Sequence, residues 1–278
     1  MKFDFPIPAQ KSLPHFLKQK MPFLRLSLRQ KLWRKQEIKF NGQIVKPEFR
    51  SSKPGLLTIF LPNPRQNFFT LTGSQVLHED QNLIVFNKKA GQPTHAGAGT
   101  QGRDLKNAAE VLLKCQLRTV HRLDCATSGV LIFAKNFQSA RQLEEEFRQQ
   151  RVQKKYLAVV SPSPPKNQGQ INFPLQKKGL KIVVQNSGQS ACTNFRVLQK
   201  LPTKALLEVQ PLTGRTHQIR VHLQALGCPV LGDELYQGRQ NSRLLLHAAE
   251  LSILGQKFNA PIPKEFQLEK IEEPKLNS

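Results

Sequence analysis

The stretch His121 to Gly129, "HRLDCATSG", runs straight into "VLIFAK" (130–135), and this join decides how the chain is read. Four consecutive apolar residues, Val130, Leu131, Ile132 and Phe133, fit a strand buried on both faces, and the Thr-Ser-Gly before them marks a turn. Asp124 is thereby expected in a loop at the mouth of a buried strand, near a sheet edge and facing a cleft. Burial alone would raise its pKa, and an adjacent cation restores ionisation. An ionised carboxylate in a desolvated cleft is a usable nucleophile or general base.

The cation is sought in "RTHQIRVHLQALG" (215–227), which reads as a helix closed by Gly227 and Pro229. Ile219, Leu223 and Leu226 mark its buried face, and Arg220 lies on the same side, three residues before Leu223. An arginine there must be paired to be tolerated, and Asp124 is the expected partner. A purely structural salt bridge would use the same two residues, so the pair alone does not decide the chemistry.

The surrounding pattern places these segments. "VLHEDQNLIVFNKKAGQPTHAG" reads as a strand with a Gly-Gln-Pro turn, and "GRDLKNAAEVLLKCQ" as a helix with Leu105, Ala109, Leu112 and Leu113 along one side. In "NFQSARQLEEEFRQQRVQ", Phe137, Ala140, Leu143 and Phe147 recur at helical spacing, and "KKYLAVV" is a strand. "KIVVQNSGQSACTNFRVLQ" reads as a strand pair, and "KALLEVQPLTG" leads into the Arg220 helix. Strands in consecutive pairs among a few helices indicate an α+β fold with a mixed sheet rather than a doubly wound one.

At 278 residues the chain suits a main domain plus a small one. Its formal charge of +23 favours a polyanionic partner, nucleic acid before an anionic membrane surface. Residues 1–50 hold twelve Lys or Arg against three Asp or Glu. Within them "SLPHFLKQKM" and "LRLSLRQKLWRKQ" read as helices, the second carrying Arg25, Arg29, Lys31, Arg34 and Lys35 around Leu28 and Leu32. "EIKFNGQIVK" reads as two short strands joined at Asn41-Gly42. The Pro- and Asn-containing 63–73 reads as a linker, the main domain spans 74–262, and the charged 263–278 is expected to pack loosely.

No apolar run approaches the roughly 18 residues of a membrane span, and the N-terminus lacks the apolar core of a secretory signal. A cytoplasmic protein is expected. The four cysteines, Cys115, Cys125, Cys192 and Cys228, form no CxxC pair, which fits free thiols. His217 and His222 are five apart with no further ligand cluster, so no metal is expected.

Helix, basic helix and hairpin over residues 1–62 resemble the S-four-type RNA-binding module, although "KSLPHFL" stands where that module usually opens Arg-Leu-Asp. The five basic residues of the second helix would then contact RNA. Downstream, "HRLDCATSGVLIFAK", "RVQKKYLAVV" and "PLTGRTHQIRVHLQALGCPVLGDELY" are similar to the active-site segments of RluA-type pseudouridine synthases, in the family's order, and "RLLLHAAEL" follows in its place.

That resemblance implies a pseudouridine synthase fold, a mixed, mainly antiparallel sheet with flanking helices and a cleft. It places the family's catalytic aspartate on Asp124, its stacking tyrosine on Tyr156 and its basic residue on Arg220. Leu223 falls on the apolar position against the base, and Arg122 on the arginine that fills the gap left by the flipped uridine. His121, Arg215 and His217 would shape the site or touch phosphate. The implied reaction isomerises uridine within RNA, ribosomal RNA first and transfer RNA second, without a cofactor, and a monomer is the default.

Departures are Cys125, where a lysine or arginine is common, Gln237 in place of a frequent glycine, and the missing histidine-proline turn in "LSILGQKF". Two rivals remain open. A non-catalytic ribosome-assembly factor would need the charge but not the aspartate. A nuclease or hydrolase using Asp124 with His217 would need a metal or a water-activating pair.

Overall fold

The computed structural model describes residues 2–21, 24, 26–61, 71, 73–95, 104–179 and 181–268. Strands β1 (Lys2–Ile7), β2 (Ile38–Phe40), β3 (Gln43–Ile44) and β4 (Gly55–Phe60) form an antiparallel sheet in the order β1-β4-β2-β3, with helices α1 (Leu13–Lys20) and α2 (Leu26–Arg34) between β1 and β2. Asn41 and Gly42 both take positive φ, 47° and 83°, which is what a tight two-residue hairpin requires. The expected helices and hairpin form, and β1 and β4 add to them. Pro6 within β1 is tolerated because β1 is an edge strand. Leu13, Phe16, Leu17, Leu32, Ile38, Leu57 and Ile59 build this region's own core.

The larger region holds β5 (Val76–Glu79), β6 (Leu83–Lys88), α3 (Leu105–Leu113), β7 (Arg118–Thr119), β8 (Ser128–Ala134), α4 (Phe137–Arg148), β9 (Gln153–Val160), β10 (Gln168–Ile171), β11 (Leu175–Lys178), β12 (Lys181–Val184), β13 (Thr193–Lys200), β14 (Ala205–Pro211), α5 (Gln218–Ala225), β15 (Leu246–Ile253) and β16 (Gln256–Asn259). Its sheet runs β10-β13-β14-β9-β15-β8-β6-β5, with β16 also on β15 and β7 on β8. Among these pairings only β15 with β8 is parallel, so the sheet is mixed and mainly antiparallel.

All seven residues of β8 are buried. β8 lies inside the sheet, so Asp124 sits above the end of an interior strand rather than at a sheet edge. Gly129, with φ +114°, is required there: a Cβ would run into the backbone of Ala248 on β15.

Four expectations are corrected. "VLHEDQNLIVFNKK" is a two-strand hairpin, β5 and β6, turning where Asp80 accepts the Asn82 and Leu83 amides. β12 pairs with β11 and not with β13, because the hairpin they form leaves the main sheet. On α3, Leu112 is 48% exposed while Val111 packs into the N-terminal core. Residues 264–268 do not fray: Phe266 and Leu268 are buried against Leu157, Val159 and Leu245. Residues 62–70, 72 and 269–278, most of the expected linker and tail, lie outside the described residues, as does Arg25.

Candidate active site

The loop 121–127 is fixed by the segment after β6. Thr94 Oγ1 donates to the Leu123 carbonyl at 2.9 Å and accepts the Leu123 amide at 3.2 Å. The Gly91 amide donates to the Cys125 carbonyl at 2.9 Å, and the Thr127 amide donates to Asp124 O at 3.1 Å, closing the turn. Beneath it lies Lys88, fully buried, whose Nζ donates to the carbonyls of Lys89, Gln92 and Cys125 at 3.1, 2.8 and 3.0 Å. Burial pulls this lysine down to about 7.

Asp124 faces a cavity of about 540 Å³ lined by β9, the start of α5 and the end of α4. Arg220 Nη1 donates to Asp124 Oδ2 at 3.2 Å, the contact expected from the two motifs. The stronger partner was not foreseen. Asp233 receives both Nε and Nη2 of Arg220 at 2.8 Å, a bidentate fork, and its own side chain also accepts the Tyr236 amide. Arg220 stays firmly protonated because the two carboxylates outweigh its burial. The "GDELY" turn carried this signal as an acid between a glycine and an aromatic.

Tyr156 lines the cavity from β9. Burial, and then the charge of Asp124, push its phenol well above the ordinary range. Lys154, two residues before it and so on the same strand face, also lines the cavity and donates to the Thr213 carbonyl at 3.2 Å. It was not singled out from sequence. Arg122 is exposed at the cavity wall, and Arg215 lines it while donating from Nε to Ser190 O at 3.1 Å.

Two expected contacts are displaced. Leu223 is fully buried in the core under β9 and β14 and is absent from the cavity lining, where Val120, Leu123, Val152, Leu212, Ile219 and Leu246 are the aliphatic side chains. A helix turn separates Leu223 from Ile219, which lies nearer the cavity. His121 reaches the cavity wall, but its Nε2 accepts the Ile132 amide at 3.0 Å and its ring stacks on Phe147 at 4.8 Å. Burial pushes it down to about 3, so it is a neutral wedge between loop and helix rather than a phosphate contact. His217, at the N-cap of α5 with φ 54°, places Nε2 3.8 Å from Asp124 Oδ2.

Among the described residues, no three His, Cys, Asp or Glu side chains gather as a metal site would require. No described helix is long and apolar enough to cross a membrane.

This geometry can orient one carboxylate beside an aromatic ring in a cavity with room for a nucleobase. The sequence profile of the family described as RNA pseudouridylate synthase matches residues 82–225, which contain Asp124, Tyr156 and Arg220. The chain belongs to that family. The synthase is 30% identical to the ribosomal large subunit pseudouridine synthase C of Vibrio vulnificus over 95% of this chain and 92% of that one. It is 34% identical to an uncharacterized RNA pseudouridine synthase of Chloroflexus aurantiacus over 95% and 90% of the two chains. Among solved structures, human RNA pseudouridylate synthase domain containing 4 superposes with a TM-score of 0.59 at 30% identity, over 69% of this chain and 90% of that one. The protein is therefore an enzyme of the isomerase class, and RNA is its substrate.

Proposed function

We propose that the synthase converts specific uridines of large-subunit ribosomal RNA to pseudouridine, with Asp124 as nucleophile. Transfer RNA is the second candidate. The observation that carries the reading is Asp124 itself: a carboxylate held at the cavity wall by Arg220, whose charge is already balanced by Asp233. Asp124 thus shares Arg220 without being locked in an exclusive pair, which leaves it available to attack.

The target uridine leaves its stack to enter the cavity, since a paired base cannot present its glycosidic bond to a protein carboxylate. Arg122, exposed beside the cavity, takes the vacated space in the RNA. Asp124 attacks the nucleoside, and the bond between uracil N1 and C1′ breaks. The uracil turns against the Tyr156 ring, C5 bonds to C1′ as the bond to Asp124 breaks and frees the carboxylate, and the C5 proton is lost while N1 gains one. Atoms and electrons balance within one nucleotide. Ile219 and Leu246 contribute to the apolar wall, with Val120, Leu123, Val152 and Leu212.

Residues 2–61 serve as an S-four-like RNA-binding module, with Arg29, Lys31, Arg34 and Lys35 on or just after α2. The charge of +23 supports a phosphate-dominated contact. The enzyme acts as a cytoplasmic monomer. The relatives named for the large ribosomal subunit favour that RNA over transfer RNA. A non-catalytic assembly factor would have no use for an aspartate held by an already paired arginine in a cavity beside a tyrosine.

The test is tritium release from unmodified ribosomal and transfer RNA labelled at uridine C5. Release from large-subunit RNA is expected. Release from transfer RNA alone would move the substrate assignment, and release from neither would return the assembly factor.

A further inference from the structure

His217 has a partner on each ring nitrogen. Its Nδ1 lies 2.7 Å from the Tyr236 hydroxyl, and its Nε2 faces Asp124 Oδ2 at 3.8 Å. The Tyr236 oxygen already accepts a hydrogen bond from the Ile182 amide of β12 at 3.1 Å. Ile182 belongs to the β11–β12 hairpin, which is a separate two-stranded sheet packed on α5 through Leu175, Val221, Tyr236 and Ile182.

These contacts decide where the imidazole proton sits. A buried phenol that receives an amide proton retains its own proton to donate, and His217 Nδ1 is the acceptor in reach. A neutral His217 then carries its hydrogen on Nε2, toward Asp124. The reverse tautomer would aim a lone pair at a carboxylate and leave the phenolic proton undirected. Burial, with Arg220 and Arg122 opposing Asp124 and Asp233, lowers the pKa of this ring and keeps it neutral.

Resting on the reading of Asp124 as nucleophile, we infer that Tyr236, anchored by the hairpin amide of Ile182, is a positioning residue that fixes His217 in the Nε2–H form and aims that hydrogen at Asp124 Oδ2. Arg220 Nη1 donates to the same oxygen. Both donors therefore converge on Oδ2, which assigns Oδ1 as the atom that attacks the nucleoside. At 3.8 Å the contact is longer than a hydrogen bond, and the ring acts on Oδ2 through its N–H dipole. His217 takes a left-handed backbone, φ 54°, unfavourable for a non-glycine residue, and its contact with Tyr236 helps to hold it there.

The arrangement gives a reason for the hairpin to pack on α5 at all. It also separates the two histidines near the nucleophile: His121 is an acceptor for backbone, and His217 a donor toward the reacting group.

The test begins with nitrogen-15 spectra of the ring-labelled full-length enzyme. His217 is expected to show a protonated Nε2 and a bare Nδ1, and the opposite assignment would overturn the inference. Tyr236→Phe removes the directing proton without removing the ring. Its kcat for tritium release is expected to fall about tenfold to a hundredfold, the worth of one hydrogen bond to a charged group, with KM for RNA nearly unchanged. A rise in KM at constant kcat would overturn it. His217→Gln, which keeps an amide donor at the far end, is expected to retain more activity than His217→Ala, although both carry the same backbone strain. Equal losses would argue against a donor role. Asp124→Asn runs beside these variants. Release by it at the wild-type rate would sink the nucleophile reading and with it the consequence of the relay, whereas full turnover of Tyr236→Phe beside an inactive Asp124→Asn would sink the relay alone.

Discussion

Lys106 and Glu110 on α3 form a buried ion pair at 2.9 Å, and Glu110 also accepts the Leu117 amide. Arg220 on α5 is just as buried but meets two carboxylates, Asp233 through a fork and Asp124 through a single bond. In the first pair Lys106 and Glu110 meet each other on one helix, and removal of Glu110 deprives a buried ammonium of its carboxylate. In the second, Asp233 supplies the structural partner and Asp124 is supernumerary. A buried ion pair is weak evidence for function, but a second carboxylate on an already balanced arginine, facing a cavity, has no comparable structural explanation.

The comparison is broken most directly at Asp124. Asp124→Asn is expected to lower tritium release by about a thousandfold or more while leaving the unfolding free energy within about 1 kcal/mol, since Arg220 keeps its fork on Asp233. Asp233→Asn is the reverse experiment. It is expected to cost about 3–5 kcal/mol in denaturant unfolding by leaving a buried guanidinium half-paired. Glu110→Gln sharpens the contrast, with a loss of about 3 kcal/mol and an unchanged kcat. A comparable stability loss in Asp124→Asn would erase the distinction.

A smaller effect concerns acid. His121 and His247 are neutral in the folded protein, pushed by burial to about 3 and about 4, whereas an unfolded histidine titrates near 6.5. Below pH 6.5 the unfolded chain binds more protons than the folded one, so stability falls as pH falls from there toward 4. His121→Gln, with an oxygen to accept the Ile132 amide, is expected to show a shallower fall in unfolding titrations. The smallest effect is in the N-terminal region. Arg34→Ala and Lys35→Ala, both exposed, are each expected to reduce the salt slope of RNA binding by about one while kcat holds.

Much of the candidate site was legible because each of its motifs is local. "HRLDCATSG" followed by an apolar run placed a carboxylate beside a buried strand, and helix spacing put Arg220 within reach of it. Asp233 was hidden because it lies thirteen residues after Arg220, past the end of α5, in a loop that no periodicity describes. Leu223 was misplaced for a related reason: spacing shows which face of α5 is buried, not whether core or cavity lies beyond it. The single parallel pairing of β15 with β8 and the departure of the β11–β12 hairpin from the main sheet are long-range events that alternation cannot signal. β1 went unread because Pro6 interrupts its pattern.

The most direct test is single-turnover tritium release by wild type, Asp124→Asn and Asp233→Asn, with the unfolding free energy of each measured in parallel. The account predicts that Asp124→Asn is folded as stably as wild type and releases no label. Release at the wild-type rate, or a loss of release accompanied by the same destabilisation as Asp233→Asn, would contradict it.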